Sequence, residues 1–166
     1  MTKARMSAAR RDGLITHTRG TGGLEPAVGA DLDGHLRRHR NALIGTASAD
    51  GAPQLTPVWY LWDGEALIAS VPGWTVKVAN LRRDPRIAIC VDDEVAGCYA
   101  TLTGRAEIVD GPTDDREAVR AATWPLLLKY LPEGEATVRW SRIDADGDRV
   151  VIRLVPSRIL WRAGVR

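Results

Sequence analysis

Phenylalanine is absent from this sequence of 166 residues, and cysteine occurs only twice. The two thiols, Cys90 and Cys98, form no Cys-x-x-Cys pair and have no histidine at a ligand spacing, so the sequence predicts free thiols and no metal site. No apolar run approaches the roughly 20 residues of a membrane-spanning helix, and the N-terminus lacks the apolar stretch of a signal peptide. We therefore expect a cytoplasmic protein that does not contact a membrane.

A large excess of charge of either sign is also lacking. The 23 basic and 21 acidic residues leave a net charge of only +2, which gives no support for nucleic-acid binding. A nucleic-acid module would depend on the basic N-terminal segment, and it would lack the exposed aromatic platform of single-strand binders. Lysine is scarce, at positions 3, 77 and 129 only, and this scarcity draws attention to Lys77.

The sequence does contain enough apolar residues, 45% of the total, for one core, but it is too short for a second full domain. Residues 1–29 combine arginine with glycine and show little apolar periodicity, so we expect a flexible N-terminal arm. This arm is either a solvated extension or a lid or partner-binding segment that orders over a neighbouring site. Residues 30–166 then form the domain. Six tryptophans supply most of its large rings, and a buried indole N–H needs a partner.

Three β-rich runs, at residues 42–49, 53–62 and 66–71, are separated by Asp-Gly pairs, and this pattern predicts a three-stranded antiparallel meander. Pro57 has no N–H to donate, so the second run is expected at a sheet edge or at a bulge. The remaining pattern predicts helices at 31–41, 74–83 and 114–131, a short segment around Trp140, and strands at 86–91, 98–109, 149–155 and 159–161. In the 74–83 segment, Trp74, Val78 and Leu81 have the spacing of one apolar helical face.

The fold class is therefore mainly β. Six to seven strands in one small sheet hide their edges most easily by closing on themselves. The strand pattern predicts a six- to seven-stranded antiparallel β-barrel with a few short helices, and the family resemblance described below implies that it is a split β-barrel.

Motifs for catalysis by the protein's own side chains are missing. The sequence has no nucleophile elbow, no Walker loop and no glycine-rich dinucleotide motif, and most carboxylates fall in predicted turns. His35 and His39 lie four residues apart on the first predicted helix, without a third ligand, and we interpret them as a surface pair. No catalytic residue can be named, so an enzyme with this sequence is expected to depend on a cofactor.

Residues 70–77 are the best candidate for binding such a cofactor. A strand end, a Pro-Gly break and a helix start bring unpaired backbone N–H groups to the positive end of a helix dipole. The Thr75 hydroxyl and the Lys77 ammonium can join them. The segment predicts an anion site, although helices often start after Pro-Gly without a ligand.

Residues 47–60, Lys77, the Asn-Leu-Arg-Arg-Asp-Pro-Arg string at 80–86, and residues 104–110 resemble the pyridoxamine 5′-phosphate oxidase-like split-barrel superfamily. Within it, the sequence is most similar to the actinobacterial flavin/deazaflavin oxidoreductases that use coenzyme F-420. The resemblance covers roughly residues 43–161. It implies a homodimer with cofactor sites in the grooves between the subunits, and an architectural role for the 80–86 string.

The resemblance also implies a set of cofactor-binding residues. Lys77 would hold the cofactor phosphate with help from Thr75, and the strand at 54–59 would run beside the ring system and the ribityl chain. The full set comprises Gln54, Thr56, Pro57, Val58, Trp59, Ser70, Val71, Trp74, Thr75, Val76 and Lys77. Relatives commonly carry arginine at the position of Thr75 and a basic residue at that of Ala79. The missing charge could come from Arg37, Arg38, Arg40 or the arm.

These expectations together predict an oxidoreductase that moves a hydride between F-420 and a small unsaturated or conjugated organic acceptor. An FMN-dependent reductase or oxidase is the alternative within the same fold. A non-enzymatic protein that binds a flavin, haem or tetrapyrrole remains open, because two basic positions of the family pattern are lost.

Overall fold

The structure is a computed structural model, and it describes residues 15–18, 26–38, 41–110 and 116–163. These residues form two antiparallel sheets and four helices. The strands are β1 (Ile15–Thr18), β2 (Ala42–Ala47), β3 (Pro53–Val58), β4 (Leu61–Trp62), β5 (Leu67–Pro72), β6 (Arg86–Asp93), β7 (Cys98–Arg105), β8 (Glu107–Asp110), β9 (Arg149–Leu154) and β10 (Arg158–Arg162). The helices are α1 (Pro26–Arg37), α2 (Val76–Arg83), α3 (Arg116–Tyr130) and α4 (Glu133–Asp146).

The two sheets share one core, as expected of a split barrel. The larger sheet has the order β1-β10-β7-β6-β2-β3, and the smaller one has the order β4-β5-β9-β8. Fully buried side chains of the larger sheet, such as Ile44 and Ile89, belong to the same apolar cluster as Leu67 and Ile152 of the smaller sheet. The predicted mainly β, split-barrel class is confirmed. The expectation of one sheet with six to seven strands is wrong, because the chain passes between the two sheets.

The first passage between the sheets follows β3. As expected for a strand that contains Pro57, β3 lies at an edge, with β2 as its only neighbour among the described strands. Trp59 and Tyr60 then leave the larger sheet, and β4 and β5 pair in the smaller one. The predicted pairing of the third run with the second is confirmed, because β5 pairs with β4, which is the end of the 53–62 run. The second run is nevertheless divided into β3 and β4, so the third run lies in the smaller sheet, where it also pairs with β9.

A second passage divides the long strand predicted at 98–109. β7 pairs with β6 up to Arg105, and β8 pairs with β9 from Glu107 onward. At Ala106 the backbone N–H leaves the ladder and donates to Pro85 O over 2.7 Å. Gly104 allows the close approach of β7 to β9, because a Cβ at this position would lie 2.8 Å from Leu154 Cδ1.

Two helices differ from the prediction. α1 begins at Pro26 and ends at Arg37, instead of spanning 31–41, and its first turn contains no acidic residue. Proline suits the first turn because the N–H that it lacks has no partner inside the helix there. The predicted boundary at residue 29 lies inside α1, and β1 pairs with β10, so the structure describes part of the expected arm. The division into arm and domain stays a prediction.

α4 is a 14-residue helix where the sequence suggested only a turn and a short segment around Trp140. Pro132 is its N-cap, and Gly147, with φ +66°, ends it in the left-handed conformation that glycine adopts easily. Only Ala136 and Ile143 are buried in α4, so its apolar periodicity is faint. The 114–131 prediction matches α3 closely, since Val119 and Leu127 are buried, while residues 114 and 115 lie outside the described ranges.

Candidate functional site

A cavity of about 340 Å³ lies where β3, β5, α2 and the α3–α4 pair meet. Its volume is at the lower end of small-molecule sites, which occupy about 300–1,000 Å³. It is lined by Asn41, Pro57, Val58, Trp59, Ser70, Val71, Pro72, Lys77, Leu126, Leu127, Arg139 and Arg149. Six of the eleven predicted site residues, namely Pro57, Val58, Trp59, Ser70, Val71 and Lys77, are therefore brought together at one cavity.

Lys77 is the central cation of this cavity. Its side chain is only 8% exposed, and burial lowers the pKa of its ammonium group. Among the residues that the structure describes, the ammonium has no hydrogen-bond or ion-pair partner. A buried charge without a partner is costly, and a bound anion would remove that cost.

Arg149, at the start of β9, lines the same cavity. Its Nε donates to Ser70 Oγ over 2.9 Å, and its second terminal nitrogen donates to the Ser70 carbonyl over 2.6 Å. Burial, and then the positive charge of Arg139, lower the pKa of Arg149 to about 10, against the opposing effect of Asp148. Lys77, Arg139 and Arg149 thus give the cavity three cationic side chains from three different elements.

Sequence reasoning missed Arg139 and Arg149. Arg149 is the first residue of a strand that was predicted correctly. The sequence did not show that this strand pairs with β5, which places Arg149 opposite Pro72. Arg139 lies on α4, which was not predicted. Neither residue falls within the local segment that suggested an anion site.

The backbone donors predicted at 72–75 are mostly used within the protein. The N–H of Gly73 donates to the Asp148 carbonyl, and that of Trp74 donates to Asp148 Oδ2 over 3.1 Å. A Cβ at Gly73 would clash with the Asp148 carboxylate, so this contact needs glycine. Both the hydroxyl and the N–H of Thr75 donate to the Pro72 carbonyl. Only the first N–H groups of α2 have no partner inside the helix.

The remaining predicted site residues lie outside the cavity. Trp74 is 79% exposed and precedes α2, so it does not share the helical face on which Val78 and Leu81 are buried. Val76 is exposed as well. On the edge strand, Gln54 Oε1 accepts from Thr46 Oγ1 over 2.9 Å. The hydroxyl of Thr56 is buried and has no hydrogen-bond partner among the described residues.

Arg37 and Arg38, suggested as substitutes for basic residues at positions 75 and 79, do not line the cavity. Arg37 pairs with Asp33 at 2.6 Å, and Arg38 pairs with Asp93 at 3.1 Å. Arg40 and most of the arm lie outside the described residues. The buried amide of Asn80 donates to Thr46 Oγ1 over 3.0 Å, which agrees with an architectural role for the 80–86 string.

Trp59, at the rim of the cavity, stacks on Tyr130 of α3, with ring centroids 4.7 Å apart and planes 2° from parallel. The Tyr130 hydroxyl donates to the Tyr60 carbonyl and accepts from the Tyr60 N–H, each over 3.1 Å. Lys129 Nζ donates to the same carbonyl over 3.1 Å, and burial lowers the pKa of Lys129 to about 8. These contacts hold α3 against the first passage between the sheets.

The fold and the cavity define a split-barrel protein with a basic pocket at a sheet edge. A model of the pyridoxamine 5′-phosphate oxidase family matches residues 30–161, and the chain belongs to this family, within a superfamily of flavin-binding oxidoreductases. Among the described residues no helix has the length and apolar character needed to cross a membrane.

Solved structures give the same fold. An F420 reductase is 27% identical, covers 76% of this chain and 94% of its own, and superimposes with a TM-score of 0.58. A conserved hypothetical protein from Mycobacterium tuberculosis is 23% identical over 93% of this chain and 89% of its own, with a TM-score of 0.63. A FAD-binding protein from Mesorhizobium loti is 19% identical over 90% of this chain and 97% of its own, with a TM-score of 0.61.

Proposed function

We propose that this protein is an oxidoreductase that transfers a hydride between coenzyme F-420 and a small unsaturated or conjugated organic acceptor. FMN is the alternative cofactor. The observation that carries the proposal is the buried Lys77 side chain in a cavity that Arg139 and Arg149 also line. The similarity to an F420 reductase supports the choice of F-420.

The three cations suit the phosphate of a flavin-type cofactor. Charge-assisted hydrogen bonds are about twice as strong as neutral ones, and an arginine fork matches the geometry of phosphate. Arg149 and Arg139 provide the charge that Thr75 and Ala79 do not. Arg149 is also oriented in advance by its two hydrogen bonds to Ser70, so little side-chain freedom is lost when an anion binds.

The edge strand suits the rest of the cofactor. The cavity is small, so a phosphate inside it would leave the ring system outside, along β3. Thr56, whose buried hydroxyl has no partner among the described residues, lies on this path together with Gln54. Backbone groups on the free side of β3 can also bind polar ring edges, because no other described strand pairs there.

A second copy of the chain would complete the groove. Leu55 is 68% exposed and Leu43 is 43% exposed on the outer side of β2 and β3. Gly45 pairs with Leu55 on one side and with the exposed Ala88 on the other, so this surface continues as a flat apolar patch onto β6. Pro57 lines the cavity and pairs with Leu43. We propose a homodimer that buries this patch and places the ring system between the copies.

When bound, the cofactor supplies the hydride chemistry. The residues of this chain bind and orient it. Lys77, Arg139 and Arg149 would hold the phosphate. Donors along β3 would stabilise negative charge on the polar edge of the ring, and Trp59, fixed by its stack on Tyr130, would exclude water from one end of the site.

The test is a spectrum of the purified protein, followed by titration with F-420 and with FMN in separate experiments. We expect binding of F-420 that weakens by about tenfold or more in Lys77→Ala, because a charge-assisted bond contributes about 1.5–3 kcal/mol. Arg105→Ala is the matched control, since it removes the same charge from an exposed position that does not line the cavity.

Each outcome has a definite meaning. Equal affinity in Lys77→Ala and in the wild type would remove Lys77 from the site. A yellow protein as purified, or binding of FMN alone, would select the FMN alternative. Tight binding without turnover across a panel of conjugated acceptors would select a non-enzymatic binder. Absence of binding for both cofactors would overturn the proposal.

A further inference from the structure

Three metal-ligating residue types meet in the core at a place that the cofactor proposal does not use. They are His35, Asp93 and Cys98, whose ligand atoms all lie within 4.8 Å of one another. Their side chains are only 1%, 3% and 5% exposed, respectively. The prediction of a surface histidine pair is therefore wrong for His35, and His39 lies outside the described residues.

The fold explains why sequence spacing gave no sign of this cluster. Asp93 and Cys98 are directly opposite each other where β6 and β7 meet at their hairpin. His35 comes from the last turn of α1, which packs on β7. The cluster therefore forms only when α1 docks on the hairpin, and a metal ion there would tie the two elements together.

The histidine ring is oriented as in metal sites. Its Nε2 lies 2.9 Å from the Val91 carbonyl, which can only accept, so Nε2 carries the proton. In the neutral ring this leaves the lone pair of Nδ1 directed at Cys98 Sγ, 3.4 Å away. A backbone carbonyl that fixes the tautomer through the other nitrogen is a common feature of histidine ligands.

The spacing of the nitrogen and sulfur ligand atoms also fits. Zinc bonds of about 2.0 Å to nitrogen and 2.3 Å to sulfur place those two atoms roughly 3.5 Å apart at a tetrahedral angle. The observed separation of His35 Nδ1 and Cys98 Sγ is 3.4 Å. Asp93 Oδ2 pairs with Arg38 at 3.1 Å and Oδ1 accepts from the Ala96 N–H at 3.1 Å. A carboxylate has about four acceptor positions, so both contacts can persist around a metal.

We propose that His35, Asp93 and Cys98 bind one divalent transition-metal ion of the zinc class, through Nδ1, a carboxylate oxygen and the thiolate. Bonds form from the metal to these three atoms, and the Cys98 thiol proton leaves to solvent, with no change of oxidation state. The thiolate and the carboxylate balance the charge of the ion, so that the metal and its ligands are neutral together. Nitrogen and sulfur ligands favour zinc-like ions over magnesium or calcium.

Cobalt(II) is the probe, because thiolate ligation gives it an intense near-ultraviolet charge-transfer band. We expect the full-length wild-type protein to develop this band and to saturate at one equivalent. Cys90→Ser is the matched control and should behave as the wild type, since Cys90 is the other free thiol. Cys98→Ser should lose the band. Asp93→Asn should keep it but need at least tenfold more cobalt, because loss of a charged ligand costs no less than loss of a group that only supports a ligand.

A second readout needs no variant. Zinc should raise the thermal unfolding midpoint of the wild-type protein, because a ligand that binds only the folded state stabilises it. Absence of both the cobalt band and the zinc-induced shift in the wild type would overturn the proposal. So would a band that is lost in Cys90→Ser and retained in Cys98→Ser. F-420 binding is measured separately, so it does not affect this result.

Discussion

Lys129 is a partly buried ammonium group whose protonation should be visible in the stability of the protein. Burial lowers its pKa from 10.5 to about 8. Between these values the unfolded chain binds the proton and the folded protein does not, so the free energy of unfolding should rise with pH across this interval. Lys77 shifts in the same direction, so a variant is needed to separate the two.

Lys129→Met provides that separation. We expect the wild-type protein to gain stability relative to this variant as the pH rises from about 8 towards 10.5, the interval between the two pKa values. Urea denaturation at a series of pH values across the interval measures the difference. Because Lys77 is present in both proteins, its contribution cancels. Parallel stability profiles for the two proteins would contradict the prediction.

Individual residues also show which parts of the site could be predicted from the sequence and which could not. Lys77 could be chosen from its rarity and its segment, and it lies in the cavity as expected. Thr75 was chosen by the same local argument, but its hydroxyl donates to the Pro72 carbonyl. Asp148, whose carboxylate accepts a hydrogen bond from the Trp74 N–H, is 74 residues away in the sequence. No local pattern could reveal that contact.

At the scale of elements, the passage from β3 to β4 is held by two side chains at the end of α3, since Lys129 binds the Tyr60 carbonyl and Tyr130 binds both backbone groups of Tyr60. The Tyr130 hydroxyl binds both the N–H and the carbonyl of Tyr60, two backbone groups that leave one sheet before the next begins. Buried backbone groups without partners are costly. This hydroxyl therefore stabilises the passage and the position of Trp59 at the cavity.

Tyr130→Phe should lower the free energy of unfolding by about 1–3 kcal/mol, because the Tyr60 N–H loses this acceptor while the Tyr60 carbonyl keeps Lys129 as a donor. Chemical denaturation followed by tryptophan fluorescence measures the change. Tyr99→Phe on β7 is the control, and we expect little effect there. Equal stability of Tyr130→Phe and wild type would mean that water replaces the hydroxyl.

Elements with strong local signals were predicted well, and those without them were not. α3 and the strand at 149–155 have clear apolar patterns and were found. α4 was missed because only two of its side chains are buried, although its glycine C-cap and its early acidic residues are visible in the sequence. Those end signals, rather than apolar periodicity, could have identified it.

At the scale of the whole molecule, strand partners beyond the two Asp-Gly hairpins could not be predicted from local pattern. Each run of β residues could be identified, but whether a run stays in its sheet depends on distant contacts. Gly104 permits β7 to approach Leu154, and Ala106 then bonds to Pro85, so the chain changes sheets there. The family resemblance, rather than strand counting, supplied the split-barrel architecture.

The proposed dimer gives a test at this scale. Leu55→Asp places a charge in the middle of the exposed apolar patch on β2, β3 and β6. We expect the dimer dissociation constant to rise roughly 30-fold or more, since a central interface residue contributes about 2 kcal/mol. Light scattering after size-exclusion chromatography measures the assembly, and the same variant should bind F-420 more weakly because the groove is incomplete.

Val95→Asp is the matched control, because Val95 is 95% exposed in the turn between β6 and β7, away from the patch. It should remain a dimer with unchanged affinity for F-420. A wild-type protein that is monomeric at all concentrations would refute the dimer, while the effect of Lys77→Ala on binding would still test the cavity. A dimer that Leu55→Asp leaves intact would place the interface on another surface, and the ring of the cofactor could then not lie between the copies along β3.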